Sequence, residues 1–260
     1  MNTIKSKDNP TVKYVSKLIK SAKARRENRE FVAEGLRLCY DAFLSDAHIS
    51  TVLYTASALK KDEKKVSELI GYAERAYEVS DSIFASFSDT KSPQGILCII
   101  KTLDKPTLFD KIKCNGKFLA LDNIQDPSNL GTVLRTAEAL GLDGVVLSAD
   151  CCDIHSPKVV RGSMGAVFRL PFILVDTIAG FLSKHSEFNS YAAVVDDTAR
   201  QITEIEFKTP CIAVIGNEAN GLKQATIDAC DMSVTIPMKG RAESLNAAIA
   251  AGIIIWEMSL

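Results

Sequence analysis

FLALDN (118–123), QDPSNLGTVLRTAEALG (125–141) and GVVLS (144–148) follow one another almost without a break. The first and last are short apolar runs of strand length. The middle stretch opens on Pro127 and Ser128, residues suited to a helix start, and closes on Gly141, suited to the position just past a helix end. The spacing predicts a helix over 128–140. Strand, helix, strand of these lengths implies a right-handed crossover and two parallel strands, and strands this uniformly apolar belong in a sheet covered on both faces.

Downstream the alternation continues. PFILV, YAAVVD, CIAVIG and SVTIP are predicted strands; helices are expected near 158–164, 178–184 and 223–229 and at the C-terminal end. Upstream, FVAEG, TVLYTA, AYEVS and GILCIIK are predicted strands, with helices around 36–44, 61–70 and 81–87. The segment 9–29 places Val12, Val15, Ile19 and Ala22 at helical spacing among lysines and is expected to form an amphipathic helix. The fold class is α/β: a parallel-sheet domain at 117–260, preceded by a small α/β domain at 1–102. The polar TLDKPTLFDKIKCNG contains the linker, 103–116.

Apolar content of 47% and 24% charged residues over 260 residues describe an ordinary globular chain with a real core. The run Ala247–Trp256 is too short for a bilayer, which needs about 20 apolar residues. No secretory signal precedes the first domain, so the expected location is the cytoplasm. Seven cysteines, without a C-x-x-C pair, point to a reducing compartment and to no metal site. GLDG (141–144) follows a helix and precedes a strand, the wrong context for a dinucleotide fingerprint, and no phosphate-binding G-x-x-x-x-G-K-[ST] is present.

Net charge is −1, yet residues 1–40 hold ten Lys/Arg against four Asp/Glu. Lys23, Arg25, Arg26 and Arg29 make the densest cluster, expected to grip a polyanion. The polar clusters of the second half fall after strands, where parallel sheets bind ligands. They are Asp122–Gly141, with Asn129 and Arg135; IGNEANGL (215–222), where glycines allow close backbone approach beside Glu218; and IPMKGRAESLN (236–246), where Ser244 is a candidate cap for the last helix. Asn129 and Arg135, six apart, would share the strand-end face only if Asn129 lay in the loop before the helix.

Together NLGTVLRTAEALG, IGNEANGL and IPMKGRAESLNAAIA resemble the three ordered motifs of the SpoU/TrmH branch of the SPOUT methyltransferases, with SPKVVRGSMGAVFRLPF between them. NPTVKYVSKLIKSAKARRENREFVAEG and SPQGILCII resemble the substrate-binding domain that precedes many of these catalytic domains. The resemblance implies an S-adenosylmethionine-dependent transfer of methyl to a ribose 2′-hydroxyl, with ribosomal RNA of the large subunit ahead of transfer RNA as substrate. A non-catalytic RNA-binding or ribosome-assembly factor and a resistance-conferring methyltransferase stay open. It implies a deep trefoil knot and a homodimer through the catalytic domain, its last helix, apolar all round, buried on all sides. It implies that Gly216, Ile236, Met238 and Leu245 hold the cofactor, and that Asn129, Arg135, Glu218, Ser244 and Asn246 surround the acceptor ribose. A guanidinium stays charged in proteins, so Arg135 is expected to pin a phosphate and stabilise the developing alkoxide, oriented by Glu218.

Overall fold

A computed structural model describes residues 2–103 and 115–260. The linker expected at 103–116 lies outside the described residues except for Leu103, Asn115 and Gly116. The chain forms two compact units, Met1–Leu103 with His155–Phe168, and Asp104–Ile154 with Arg169–Leu260.

The first unit contains β1 (Asn2–Ile4), α1 (Pro10–Lys20), α2 (Ala22–Asn28), β2 (Glu30–Glu34), α3 (Leu36–Leu44), β3 (Ile49–Tyr54), α4 (Ala56–Lys61), α5 (Glu63–Tyr72), β4 (Ala76–Val79), α6 (Asp81–Phe87) and β5 (Ile96–Lys101). Its sheet runs β1-β4-β3-β5-β2 and is mixed: β5 is antiparallel to both β2 and β3, whereas β4 is parallel to β1 and β3. Val12, Val15 and Leu18 of α1 pack with Leu53, Leu97, Phe84 and Phe87 in its core.

The single helix expected over 9–29 is two. Ser21 is extended (φ −127°, ψ 111°), ends α1 and caps α2 by accepting from the Ala24 N–H. Arg25 explains why the break holds. It is only 5% exposed, and its Nη1 donates to the carbonyls of Leu18 and Ile19 (2.6 and 3.0 Å), the unsatisfied acceptors at the end of α1. Arg25 thus serves as an internal cap, which corrects its reading as an RNA contact; Lys23, Arg26 and Arg29 remain exposed.

The second unit contains β6 (Lys117–Leu121), α7 (Pro127–Ala139) and β7 (Gly144–Ser148). The chain then passes through α8 (Pro157–Gly162) and α9 (Ala166–Arg169), which lie mostly in the first unit, where Phe168 stacks on Phe31 of β2 and His155 packs against the same ring at a tilt. The second unit resumes with β8 (Phe172–Val175), α10 (Ile178–Leu182), β9 (Asn189–Ala193), β10 (Arg200–Gln201), β11 (Cys211–Ile215), α11 (Gln224–Asp228), β12 (Met232–Thr235) and α12 (Ala247–Ser259).

Its sheet runs β10-β12-β9-β11-β6-β7-β8, and every pairing is parallel. The central strands β6, β7 and β11 are buried nearly throughout. One face joins Phe118, Ala120, Val146, Ile212 and Val214 to Ile178, Phe181 and Leu182 of α10. The alternate residues Leu119, Val145, Leu147 and Ala213 are buried on the opposite side, as a doubly covered sheet requires.

The last helix is covered in part by its own chain. Ala251, Ile254, Ile255 and Met258 are buried, and the helix packs against α7 and β11, with Gly252 facing Thr136 of α7. Ile249, Trp256 and Leu260 stand 56%, 54% and 81% exposed. Within one chain, one side of this apolar helix is therefore uncovered. Among the described residues, no helix is long and apolar enough to cross a membrane.

Candidate active site

Three chain segments far apart in sequence meet at the carboxyl ends of β6 and β11. Asp126 opens α7 by accepting from the Ser128 N–H, with Pro127 in the first turn where a missing N–H costs nothing. This sets Asn129 on the helix and buried. After β11, Asn217 and Gly221 bond to each other through both backbone pairs (3.0 and 2.9 Å), closing a tight turn. Asn217 stabilises it, accepting from the N–H groups of Ala219 and Asn220 and donating from Nδ2 to the Asn123 carbonyl.

This turn explains Gly216. A Cβ there would lie 2.3 Å from the Gly221 carbonyl carbon and 2.4 Å from the Leu222 nitrogen. Both are backbone atoms that cannot step aside, so only glycine is accommodated.

Glu218 projects from the turn to the start of α7. Its carboxylate accepts from Asn129 Nδ2 (3.0 Å) and from the N–H groups of Asp126 and Gln125 (3.1 Å each). Negative charge at a helix N-terminus is favoured by the orphan N–H groups there. Burial alone would raise the Glu218 pKa, but these hydrogen bonds outweigh it and hold the carboxyl below its ordinary range. Asn129 Oδ1 in turn accepts from Asn246 Nδ2 (3.0 Å), and Asn246 Oδ1 caps α12 by accepting from Ala248 and Ile249. The cap of the last helix is thus Asn246 and not Ser244. The chain Glu218–Asn129–Asn246 ties all three motif segments together.

Beside it lies a cavity of about 480 Å³. Gly216, Ile236, Met238 and Leu245 line it, as do Glu218 and Ser244, so the residues expected at the cofactor and two of those expected at the ribose do converge. Ala193–Val195 at the end of β9 and Glu243 also line it. Sequence reasoning did not single these out, although the strand-end rule pointed to the first group and adjacency to Ser244 pointed to Glu243.

Arg135 is elsewhere. It is not buried on α7, lies six residues and so roughly 120° around the helix from buried Asn129, and does not line the cavity. Because Asn129 lies on the helix and not before it, the shared face expected for the two is not formed. Nor does Glu218 orient Arg135: its hydrogen bonds are made to Asn129 and to backbone.

The surrounding shell is tightly bonded. Thr226 of α11 donates to buried Asp122 just past the end of β6 (2.7 Å), and Lys223 pairs with Asp150 (2.8 Å). The Cys152 thiol is pushed up to about 12 by burial, then by the adjacent Cys151 and by nearby carboxylates, and burial also raises Cys151, so both thiols favour the protonated form. Among the described residues, no group of three or more His, Cys, Asp or Glu is arranged to hold a metal ion.

A parallel sheet with three such loops at its strand ends defines the class: the chain belongs to the SpoU rRNA methylase family, which it matches over residues 116–256. Residues 9–98 match the MRM3-like substrate binding domain. Among relatives, the 23S rRNA (guanosine(2553)-2′-O)-methyltransferase RlmP of Bacillus subtilis is 30% identical over 99% of both chains. The uncharacterized tRNA/rRNA methyltransferase slr1673 of Synechocystis is 32% identical over 98% of this chain and 92% of its own length. The crystal structure of an AdoMet-bound rRNA methyltransferase from Sinorhizobium meliloti superposes with a TM-score of 0.89 at 30% identity, covering 99% of this chain and 97% of that one.

Proposed function

We propose that this protein transfers a methyl group from S-adenosylmethionine to a ribose 2′-hydroxyl of RNA, with large-subunit ribosomal RNA as the substrate class, and that it works in the cytoplasm. The observation that carries this reading is the cavity at the strand ends, lined by Glu218, which heads the hydrogen-bonded series Glu218–Asn129–Asn246. The methyl carbon is activated by its own sulfonium, so the protein's task is alignment of oxygen, carbon and sulfur and disposal of one proton. The new O–C bond forms as the C–S bond breaks, the electron pair stays on sulfur, and the hydroxyl proton passes to solvent. Gly216, Ile236, Met238 and Leu245 would cradle the cofactor; Ser244, Asn129 and Asn246 would border the ribose.

A homodimer through the second unit belongs to this reading. Ile249, Ile253, Trp256 and Leu260 fall at i, i+4, i+7 and i+11, one apolar stripe along α12. A second copy would cover it, and Arg135, on the neighbouring α7, would serve the cavity of the other copy by binding a phosphate and stabilising the developing alkoxide. Mixing Arg135→Ala with Gly216→Ala protein should then restore activity that neither variant has alone. Lys23, Arg26 and Arg29 would contact the RNA backbone. The knot implied by the motifs belongs to this reading as well.

The test is calorimetry with S-adenosylmethionine, followed by ribose-methylation mapping of total RNA from cells with and without the gene. Binding and one lost 2′-O-methyl site in large-subunit RNA are expected. Absence of heat with both the cofactor and its demethylated product would end the proposal; a lost site in transfer RNA would move the substrate.

A further inference from the structure

The cavity is electrically one-sided. Of the described residues that line it, Glu218 and Glu243 are acids, and no lysine, arginine or histidine is among them. Lys223, Lys239 and Arg241 sit in the flanking loops but do not reach the lining. Much of the wall is apolar, including Ile215, Leu222 and Ile254.

The two acids differ. Glu218 accepts three hydrogen bonds from Asn129, Gln125 and Asp126, and its charge is committed to holding the loops together. Glu243 is exposed and makes no hydrogen bond or ion pair among the described residues. A carboxylate without a partner at the edge of a cavity whose described lining holds no basic side chain acts on the charge of whatever enters.

Resting on the cofactor reading above, we propose that Glu243 is a specificity-determining residue that makes the cavity prefer the cationic sulfonium cofactor to its thioether product. When the ribose oxygen takes the methyl group, the C–S electron pair returns to sulfur and the sulfonium loses its positive charge. The ligand's net charge falls by one, the attraction to Glu243 falls with it, and the product leaves more readily. A unit charge about 6 Å from a carboxylate in water-like surroundings changes affinity about threefold, and more where apolar walls exclude water.

Three ligands separate charge from shape: S-adenosylmethionine, S-adenosylhomocysteine, and sinefungin, which carries an ammonium group where the cofactor carries its sulfonium methyl. Calorimetry on the full-length protein and on its Glu243→Gln and Glu243→Asp variants is expected to show the first and third ligands weakened about threefold or more by Glu243→Gln. The thioether should change far less, Glu243→Asp should restore the preference, and added salt should shrink it. Equal weakening of all three ligands, which a structural role would give, overturns the inference, as does no change in any. If the unsubstituted protein binds none of the three, the cofactor reading itself fails and takes the inference with it.

Discussion

The strand-end loops of the second unit and the basic arm of the first treat polar side chains in opposite ways. In the loops, Glu218, Asn129, Asn217 and Asn246 each make at least two hydrogen bonds, and the backbone is folded so tightly at Gly216 that no side chain fits. On the arm, Lys23 and Arg26 stand in water, Lys23 at 3.7 Å from Glu27 in an exposed pair of little energetic weight. A site that must align three atoms is prebuilt, while a surface that meets a polyanion needs charge and not geometry. Substitutions should therefore act abruptly in the loops and by degrees on the arm.

Gly216→Ala gives the largest expected effect. The added methyl would collide with the Gly221 and Leu222 backbone at 2.3 and 2.4 Å, forcing the turn open. Calorimetry should detect no cofactor binding while the far-ultraviolet circular dichroism spectrum stays unchanged. RNA binding by the arm, measured by filter retention, should survive. A variant that binds cofactor normally would show that the turn is adaptable and that the contrast with the arm is false.

Glu218→Ala follows. It leaves part-buried Asn129 Nδ2 without its acceptor, which costs about 1–3 kcal/mol where water cannot replace it, whereas the exposed N–H groups of Gln125 and Asp126 turn to water and lose their hold on the turn. A loss of about a hundredfold in kcat/KM is expected, with a lower melting temperature. Glu218→Gln keeps the shape but replaces two acceptor oxygens with one, and should fall between Glu218→Ala and the unsubstituted protein.

Neutralising Lys23, Arg26 and Arg29 together tests the other side. RNA affinity at about 0.15 M salt should drop about tenfold, and the slope of log affinity against log salt should flatten by about 2 to 3, with cofactor affinity unmoved. Unchanged affinity at low salt would make the arm an ordinary solvated face. Arg25→Leu sharpens the comparison within the arm itself. Because Arg25 caps α1 from inside, its loss should cost about 1.5–3 kcal/mol of stability, seen in denaturant melts, with little change in RNA affinity below the transition.

That contrast also explains what could be read from the sequence. The alternating α/β order was legible because continuous apolar runs such as CIAVI and GVVLS separated by capped helices leave few alternatives, and the predicted span 128–140 is offset by one residue from Pro127–Ala139. The convergence of Gly216, Ile236, Met238, Leu245, Glu218 and Ser244 was legible through motif order. The individual roles were not. Arg25 and Arg26 are identical neighbours, and only the Ser21 break, which needs the extended backbone at one residue, turns one inward. The helical placement of Asn129 depends on Asp126 acting as the cap in place of Ser128, a choice of two residues that periodicity does not resolve. Which side of α12 is covered within one chain is not legible, because an all-apolar helix shows no preferred face; it depends on α7, more than a hundred residues away in sequence.

The smallest expected effect is an absence of change with pH. Hydrogen bonds hold the folded-state pKa of Glu218 below its ordinary value, so the stabilisation it contributes is fully present above the unfolded-state value, about 4.3, and is lost as pH falls through the lower folded-state value. Among the described residues no histidine lines the cavity, so the lining lacks the one side chain whose ordinary pKa falls between about pH 5 and 8. Cofactor affinity measured by calorimetry should accordingly be level across that window and decline only in stronger acid. The arm presents lysine and arginines to the RNA, and RNA affinity should be equally level in the same range. A fall in cofactor affinity centred near pH 6, about where a histidine titrates, would require a titrating group at the cavity that the lining residues do not supply.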